Sequence, residues 1–245
     1  MRKMIKKLTS SQIQLRRRLL ELAFDNQSSH LGSSFSTLDM LTAIYQAKRK
    51  KDLCVLSNGH AGYALYVVLE KNKLLTIQKG DKLPVHPEKA LNKAITVSSG
   101  SLGQGLPIAV GLALGNPNSN VFCTISDGEA TEGSIWEALR LIQDLPVVNI
   151  MILVNANGWG AYSQINLKTL QKRLRGFGFA IASCDGHNLS QLTKHMYNFV
   201  KTRQPQLLFC QTLVNHFPFL RGQDAHYHVM SKTEYSQAIA SLEQQ

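Results

Sequence analysis

Apolar positions recur at helical spacing near the start of the chain. Ile13, Leu15, Leu19, Leu20 and Ala23 form one broad side and predict a helix over residues 11–24. A second helix is predicted from near Ser36, where Ser36-x-x-Asp39 has the spacing of a capping box ahead of Leu38, Leu41, Ile44 and Tyr45. The period then changes. Leu53-Cys54-Val55-Leu56 is a short continuous apolar run closed by Ser57-Asn58-Gly59, the pattern of a buried strand ending in a turn. Further strands are predicted over 121–125, 148–154, 179–184 and 207–213, with helices over 106–114, 134–143, 167–175 and 189–200. Such alternation implies an α/β fold, a parallel sheet with helices on both faces, and places ligands at the carboxyl ends of the strands. The lysine-rich stretch 71–93 reads as a surface excursion, and no repeat or linker interrupts the pattern, so one domain over 1–245 is expected.

Composition narrows the class. At 44% hydrophobic and 18% charged, the 245 residues suit a globular core and neither a disordered nor a fibrous chain. No stretch approaches the roughly 20 apolar residues of a membrane span. The basic start is followed by Thr9, Ser10, Ser11, Gln12 and Arg16-Arg17-Arg18 where a signal peptide needs an apolar core, so a cytoplasmic location is expected. The net charge of +11 raises nucleic acid, anionic membrane, phosphorylated ligands or an acidic partner. Its basic residues cluster in 2–18 and 48–51 without interleaved aromatics, which predicts a solvated basic face and neither a nucleic-acid nor a membrane partner. Cys54, Cys123, Cys184 and Cys210 lie far apart in strand-like contexts with no C-x-x-C pair, so buried thiols are expected.

Three loops fall where the fold puts a ligand. Ser98-Ser99-Gly100-Ser101-Leu102-Gly103-Gln104-Gly105 runs into an apolar helix, where backbone N–H groups and the helix dipole can meet an anion, although no Walker lysine follows. Ser126-Asp127-Gly128-Glu129-Ala130-Thr131-Glu132-Gly133 and Asn155-Ala156-Asn157-Gly158-Trp159-Gly160 close consecutive strands. A carboxylate, an amide oxygen and nearby carbonyls there make a partial oxygen cage for a hard divalent ion, which magnesium completes with phosphate oxygens and water. Asp127 and Asn157 lie 30 residues apart, about one strand-helix-strand unit.

Asp127-Gly128-Glu129-x-x-Glu132-Gly133 followed by Asn155-x-Asn157-Gly158 resembles the thiamine-diphosphate motif, with Ser126 in place of its usual opening glycine. Ser29-His30-Leu31-Gly32, Leu56-Ser57-Asn58-Gly59-His60-Ala61, His86-Pro87-Glu88, Gly100 to Gly105 and Trp136-Glu137-Ala138 resemble, in order, segments of the transketolase family; Asp185-Gly186-His187 and His226-Tyr227-His228 also have counterparts. Ser29, Leu31 and Val214 depart from the glycine, proline and lysine usual there. The resemblance implies the diphosphate domain of the thiamine-diphosphate-binding fold, with Asp127, Asn157 and the Trp159 carbonyl on Mg2+. It implies thiamine diphosphate held by His60, Gly100, Ser101, Leu102, Gly128, Glu129, Asn157 and His226, and catalysis by His30, His60 and His86, with His30 and His86 toward the ketose hydroxyls. Glu132 matches a family glutamate at the subunit interface.

The activity so implied is transfer of a two-carbon ketol unit from a ketose-type donor to an aldehyde-type acceptor. Family chains continue into pyrimidine-binding and C-terminal domains, which have no counterpart in these residues, so a second subunit carrying them is implied, most simply as α2β2. A non-catalytic binding or regulatory subunit of the same fold is the competing expectation.

Overall fold

The computed structural model describes residues 8–244. Five strands, β1 (Leu53–Leu56), β2 (Val121–Ser126), β3 (Ile150–Ala156), β4 (Ile181–Asp185) and β5 (Gln206–Gln211), form one parallel sheet in the order β1-β2-β3-β5-β4. Every position of β2 and β3 is buried, because helices cover both faces. On one face Phe122, Met151, Leu153 and Leu208 meet α1 (Ser10–Asp25), α2 (Leu31–Ala47), α3 (Gly62–Lys71), α7 (Leu189–Thr202) and α8 (Lys232–Glu243). On the other, Val121, Cys123, Ile125, Ile150, Ile152 and Val154 meet α4 (Gly105–Gly115), α5 (Gly133–Asp144) and α6 (Leu167–Arg175). The alternation along β2 and β3 follows from successive side chains leaving a strand on opposite sides. All four cysteines are buried in this core.

Several expectations shift. The second helix begins at Leu31, not near Ser36, and Ser36 caps nothing: its hydroxyl donates to Ser33 O at 3.0 Å within the helix. Residues 31–44 are buried throughout, so no amphipathic stripe marks where the helix starts. β3 starts two residues late because Val148 is 50% exposed and outside the sheet, and it runs on through the buried Asn155. α3 and α8 were not expected. α3 is also buried nearly all round, whereas α8 carries a capping box, Ser231 with Glu234, that the apolar pattern alone passes over.

The amino-terminal basic run is not simply a solvated face. Residues 1–7 of it lie outside the described residues, while Arg16 is buried on Asp39 and Arg17 and Arg18 pair with Glu243 and Glu70. The excursion after α3 contains no helix or strand from 72 to 104. It is nevertheless pinned: the buried Tyr63 and Tyr66 hydroxyls donate to the Leu83 and Pro84 carbonyls, each at 2.9 Å, and so set the course of the chain toward His86. No helix of the described residues is long and apolar enough to cross a membrane.

Candidate functional site

The loops after β1, β2 and β3 open at the carboxyl edge of the sheet into one cleft, whose walls include His30, His60, His86, His226, Gly128 and Trp159. At its base Asp127 is fully buried. Its Oδ1 accepts from the Gly128 N–H at 3.0 Å and its Oδ2 from the Gly158 N–H at 2.6 Å, yet burial outweighs both and pushes the carboxyl up to about 7. The Asn157 side chain lies one strand over and accepts from Trp159 N at 2.9 Å. The two loops meet backbone to backbone, since a Cβ on Gly128 would lie 2.9 Å from the Gly160 Cα.

The buried Asp127 carboxylate and the Asn157 amide oxygen are hard oxygen donors of the kind magnesium takes. Among the described residues no three His, Cys, Asp or Glu side chains gather as a metal cluster. An ion here would therefore need oxygens from a ligand, as a diphosphate provides.

The glycine loop behaves differently from a bare anion cradle. Gly100 and Leu102 line the cleft, but Ser101 is exposed and does not. The Gly103 N–H is committed to Glu129, whose buried carboxylate also accepts from Ser57 Oγ at 2.5 Å and Ser126 N at 3.3 Å. Glu129, expected to contact a cofactor, clips together the ends of β1 and β2 and the glycine loop. A Cβ on Gly100 would fall 2.9 Å from the His86 ring, so only glycine lets that ring lie over the loop.

Four histidines from separate segments converge. His30 caps α2 in the left-handed region at φ 62°, a conformation uncommon outside glycine, and its N–H donates to His226 O at 2.9 Å. Its ring centroid lies 5.7 Å from His60, 6.1 Å from His86 and 6.3 Å from His226. Burial, then the neighbouring rings, lowers His30 to about 4 and His60 to about 3; burial also lowers His226. Near neutral pH these three are uncharged donor–acceptors. The expected His30, His60, His86 and His226 thus meet in one place, and the buried Asp127 lies between Ser126 and Gly128 of the same wall.

On the cleft wall, Ser126, Gly160 and Tyr227 were named only within their segments and not as contacts, while Ala161 and the ring of Trp159, expected only for its carbonyl, were missed. The signal for Tyr227 was the likeness of His226-Tyr227-His228 to a family segment. Asp185-Gly186-His187 lies elsewhere: the buried His187 ring joins Asp39 Oδ2 at 3.0 Å and accepts from Leu213 N at 3.1 Å. Glu132 is exposed.

Residues 12–238 match the family described as transketolase, thiamine diphosphate binding domain. The chain is 30% identical to the 6-deoxy-6-sulfo-D-fructose transketolase subunit of Clostridium sp. (strain MSTE9), over 88% of this chain and 89% of that one. It is 26% identical to an apulose-4-phosphate transketolase subunit of Phocaeicola vulgatus, over 93% and 90%. Transketolase from Leishmania mexicana superposes with a TM-score of 0.74 at 18% identity, over 97% of this chain and 46% of that one. A transketolase mutant from Pichia stipitis does so at 0.74 and 20%, over 96% and 45%. At that identity the solved structures speak for the fold alone, and this chain spans just under half their length. The chain therefore belongs to the transketolase family, as its thiamine diphosphate binding domain.

Proposed function

We propose that residues 1–245 form one diphosphate-binding domain that supplies half of a cytoplasmic ketol-transferase site, with Mg2+ on Asp127, Asn157 and the Trp159 carbonyl. A partner subunit carries the pyrimidine-binding and C-terminal domains in an α2β2 assembly. The observation that carries this is the meeting of two chemistries at one edge of the sheet: the buried Asp127 and the Asn157 amide at consecutive strand ends, and four histidine rings converging on the adjoining cleft. When bound, thiamine diphosphate supplies a carbon nucleophile and an electron sink for carbon–carbon cleavage.

The residues of this chain then bind and move protons. Asp127 and Asn157 would hold the ion, whose charge would offset that of a diphosphate. His60 and the buried His226 face the cofactor side, where a diphosphate would draw their proton affinity upward. His30 and the exposed His86 stand toward the mouth, within reach of the carbonyl and hydroxyls of a ketose donor and an aldose-type acceptor. A neutral imidazole can take the hydroxyl proton as the bond breaks and return it as the new one forms.

The need for a partner has its own support. α4 has no charged residue from Gly105 to Gly115, and it leaves Ile108 and Leu114 about two-fifths exposed beside the uncovered Gly111. A helix apolar all round is suited to burial on both sides.

Calorimetry on the assembled complex tests the cofactor site: Asp127→Ala with Asn157→Ala should weaken magnesium-dependent thiamine diphosphate binding by about 100-fold or more. Parent-like affinity in that variant places the site elsewhere. Robust ketol transfer by the lone chain would refute the need for a second chain.

A further inference from the structure

The four histidines have roles in the reaction proposed above; Tyr227, on the same wall, has none. Its ring is 61% exposed, in contrast to the neighbouring His226 at 7%. The ring centroid lies 5.9 Å from His30, inclined at 70°, and 6.3 Å from His226. The backbone beneath it is held: Tyr227 N donates to Asp224 O at 3.0 Å at the end of the turn Gly222–His226, and His226 O receives the His30 N–H.

The side chain, by contrast, is uncommitted. Tyr63, Tyr66 and Tyr197 each spend their hydroxyl on a backbone carbonyl, while no such bond engages the Tyr227 hydroxyl among the described residues. An exposed ring on a fixed backbone, with a free O–H, is an amphipathic contact surface of the kind used for recognition rather than for packing. Depth sets what it can touch. Tyr227 lines the same cleft as the histidines and is far more exposed than the adjacent His226, so it meets a ligand from the open side of the cleft.

We propose that Tyr227 is a specificity-determining residue, whose phenol hydroxyl bonds a hydroxyl of the sugar chain beyond the reacting carbonyl and whose ring bounds the cleft on that side. The inference rests on the ketol-transfer function and deepens it, because it gives this chain the means to prefer polyhydroxylated over plain aldehydes. A site built to bond a hydroxyl discriminates against an analogue lacking it, because its own polar group is then left unpaired.

The test uses the assembled enzyme with magnesium, thiamine diphosphate and hydroxypyruvate as a common donor, and compares glyceraldehyde with propanal as acceptors of equal carbon number. In Tyr227→Phe the preference for glyceraldehyde, as a ratio of kcat/KM values, should fall about five-fold, the size of one neutral hydrogen bond. Calorimetry should show thiamine diphosphate affinity unchanged. Tyr227→Ala should lower the preference at least as far. An unaltered ratio in an active Tyr227→Phe enzyme overturns the proposal alone, as does a loss of cofactor affinity that matches the kinetic loss. A parent complex inactive with both aldehydes overturns the ketol-transfer function, and the proposal with it.

Discussion

Replacing Asp39 with alanine is expected to destabilise the protein by about 3–5 kcal/mol, the range for breaking a buried ion pair from one side. The Asp39 carboxylate has no exposure, and the Arg16 side chain only 2%. Arg16 donates to Oδ1 at 3.1 Å and to Oδ2 at 2.5 Å, Gln12 Nε2 donates to Oδ1 at 3.0 Å, and His187 Nδ1 lies 3.0 Å from Oδ2. Burial alone would raise this carboxyl, but the Arg16 charge and the bonds from His187 and Arg16 outweigh it and hold the group below the ordinary carboxylate range. Alanine strips all of these partners at once and strands a guanidinium in the core. With about 2–4 °C per kcal/mol for a chain of this size, Tm should fall by roughly 10 °C. Guanidinium unfolding followed by circular dichroism gives the energies directly. The control is Arg16→Met with Asp39→Leu, which removes both charges and should lie within about 2 kcal/mol of the parent. An Asp39→Ala variant within about 1 kcal/mol of the parent, or a double variant as unstable as the two singles summed, refutes the reasoning. Because Asp39 sits on the helix that begins beside His30, the single variant should also lose activity.

Tyr66→Phe combined with Tyr63→Phe should cost about 2 kcal/mol in lost bonds to the Leu83 and Pro84 carbonyls, and should lower kcat through displacement of His86 while cofactor affinity holds; amide exchange after Pro84 should quicken. His30 and His60 bind protons less readily folded, at about 4 and 3, than at their ordinary 6.5, so folding stability should drop as pH falls from 6.5 toward 4. Thermal scans from pH 8 to pH 4 should show a shallower fall in His30→Gln; an unchanged slope would contradict the burial of that ring. Glu129→Ala leaves Ser57 Oγ and the Gly103 and Ser126 N–H groups without their acceptor, and should destabilise by about 2–4 kcal/mol, read by urea unfolding.

What the sequence disclosed tracks how one-sided each environment is. β2 and β3 were legible because burial on both faces leaves an unbroken apolar run, and α5 and α6 because one face meets the core and the other meets water. The start of α2 and all of α3 were not, since burial on every side erases the stripe. Arg16 was taken for surface charge by its neighbours in sequence. It stands one helical turn before Leu19 and Leu20, on the core side, and a buried Asp39 from another helix makes that possible. The nearness of Asp127 and Asn157 was readable because they follow the ends of two strands that pair. The four histidines belong to segments far apart, and only likeness to a family, not spacing, gathered them. Glu129 and Tyr227 turned on side-chain direction, which a motif does not specify.

The backbone bond from His30 N to His226 O joins the first and last of the segments that wall the cleft. During synthesis the chain must therefore wait, with 195 residues emerging between them, before the left-handed turn at His30 has its partner. A ribosome-bound fragment that ends short of the turn at Gly222–His226 can have its sheet and both helical layers begun and still offer no finished pocket. On the function proposed above, this chain's share of the cofactor cleft is complete only in a polypeptide made through to that last contributing loop.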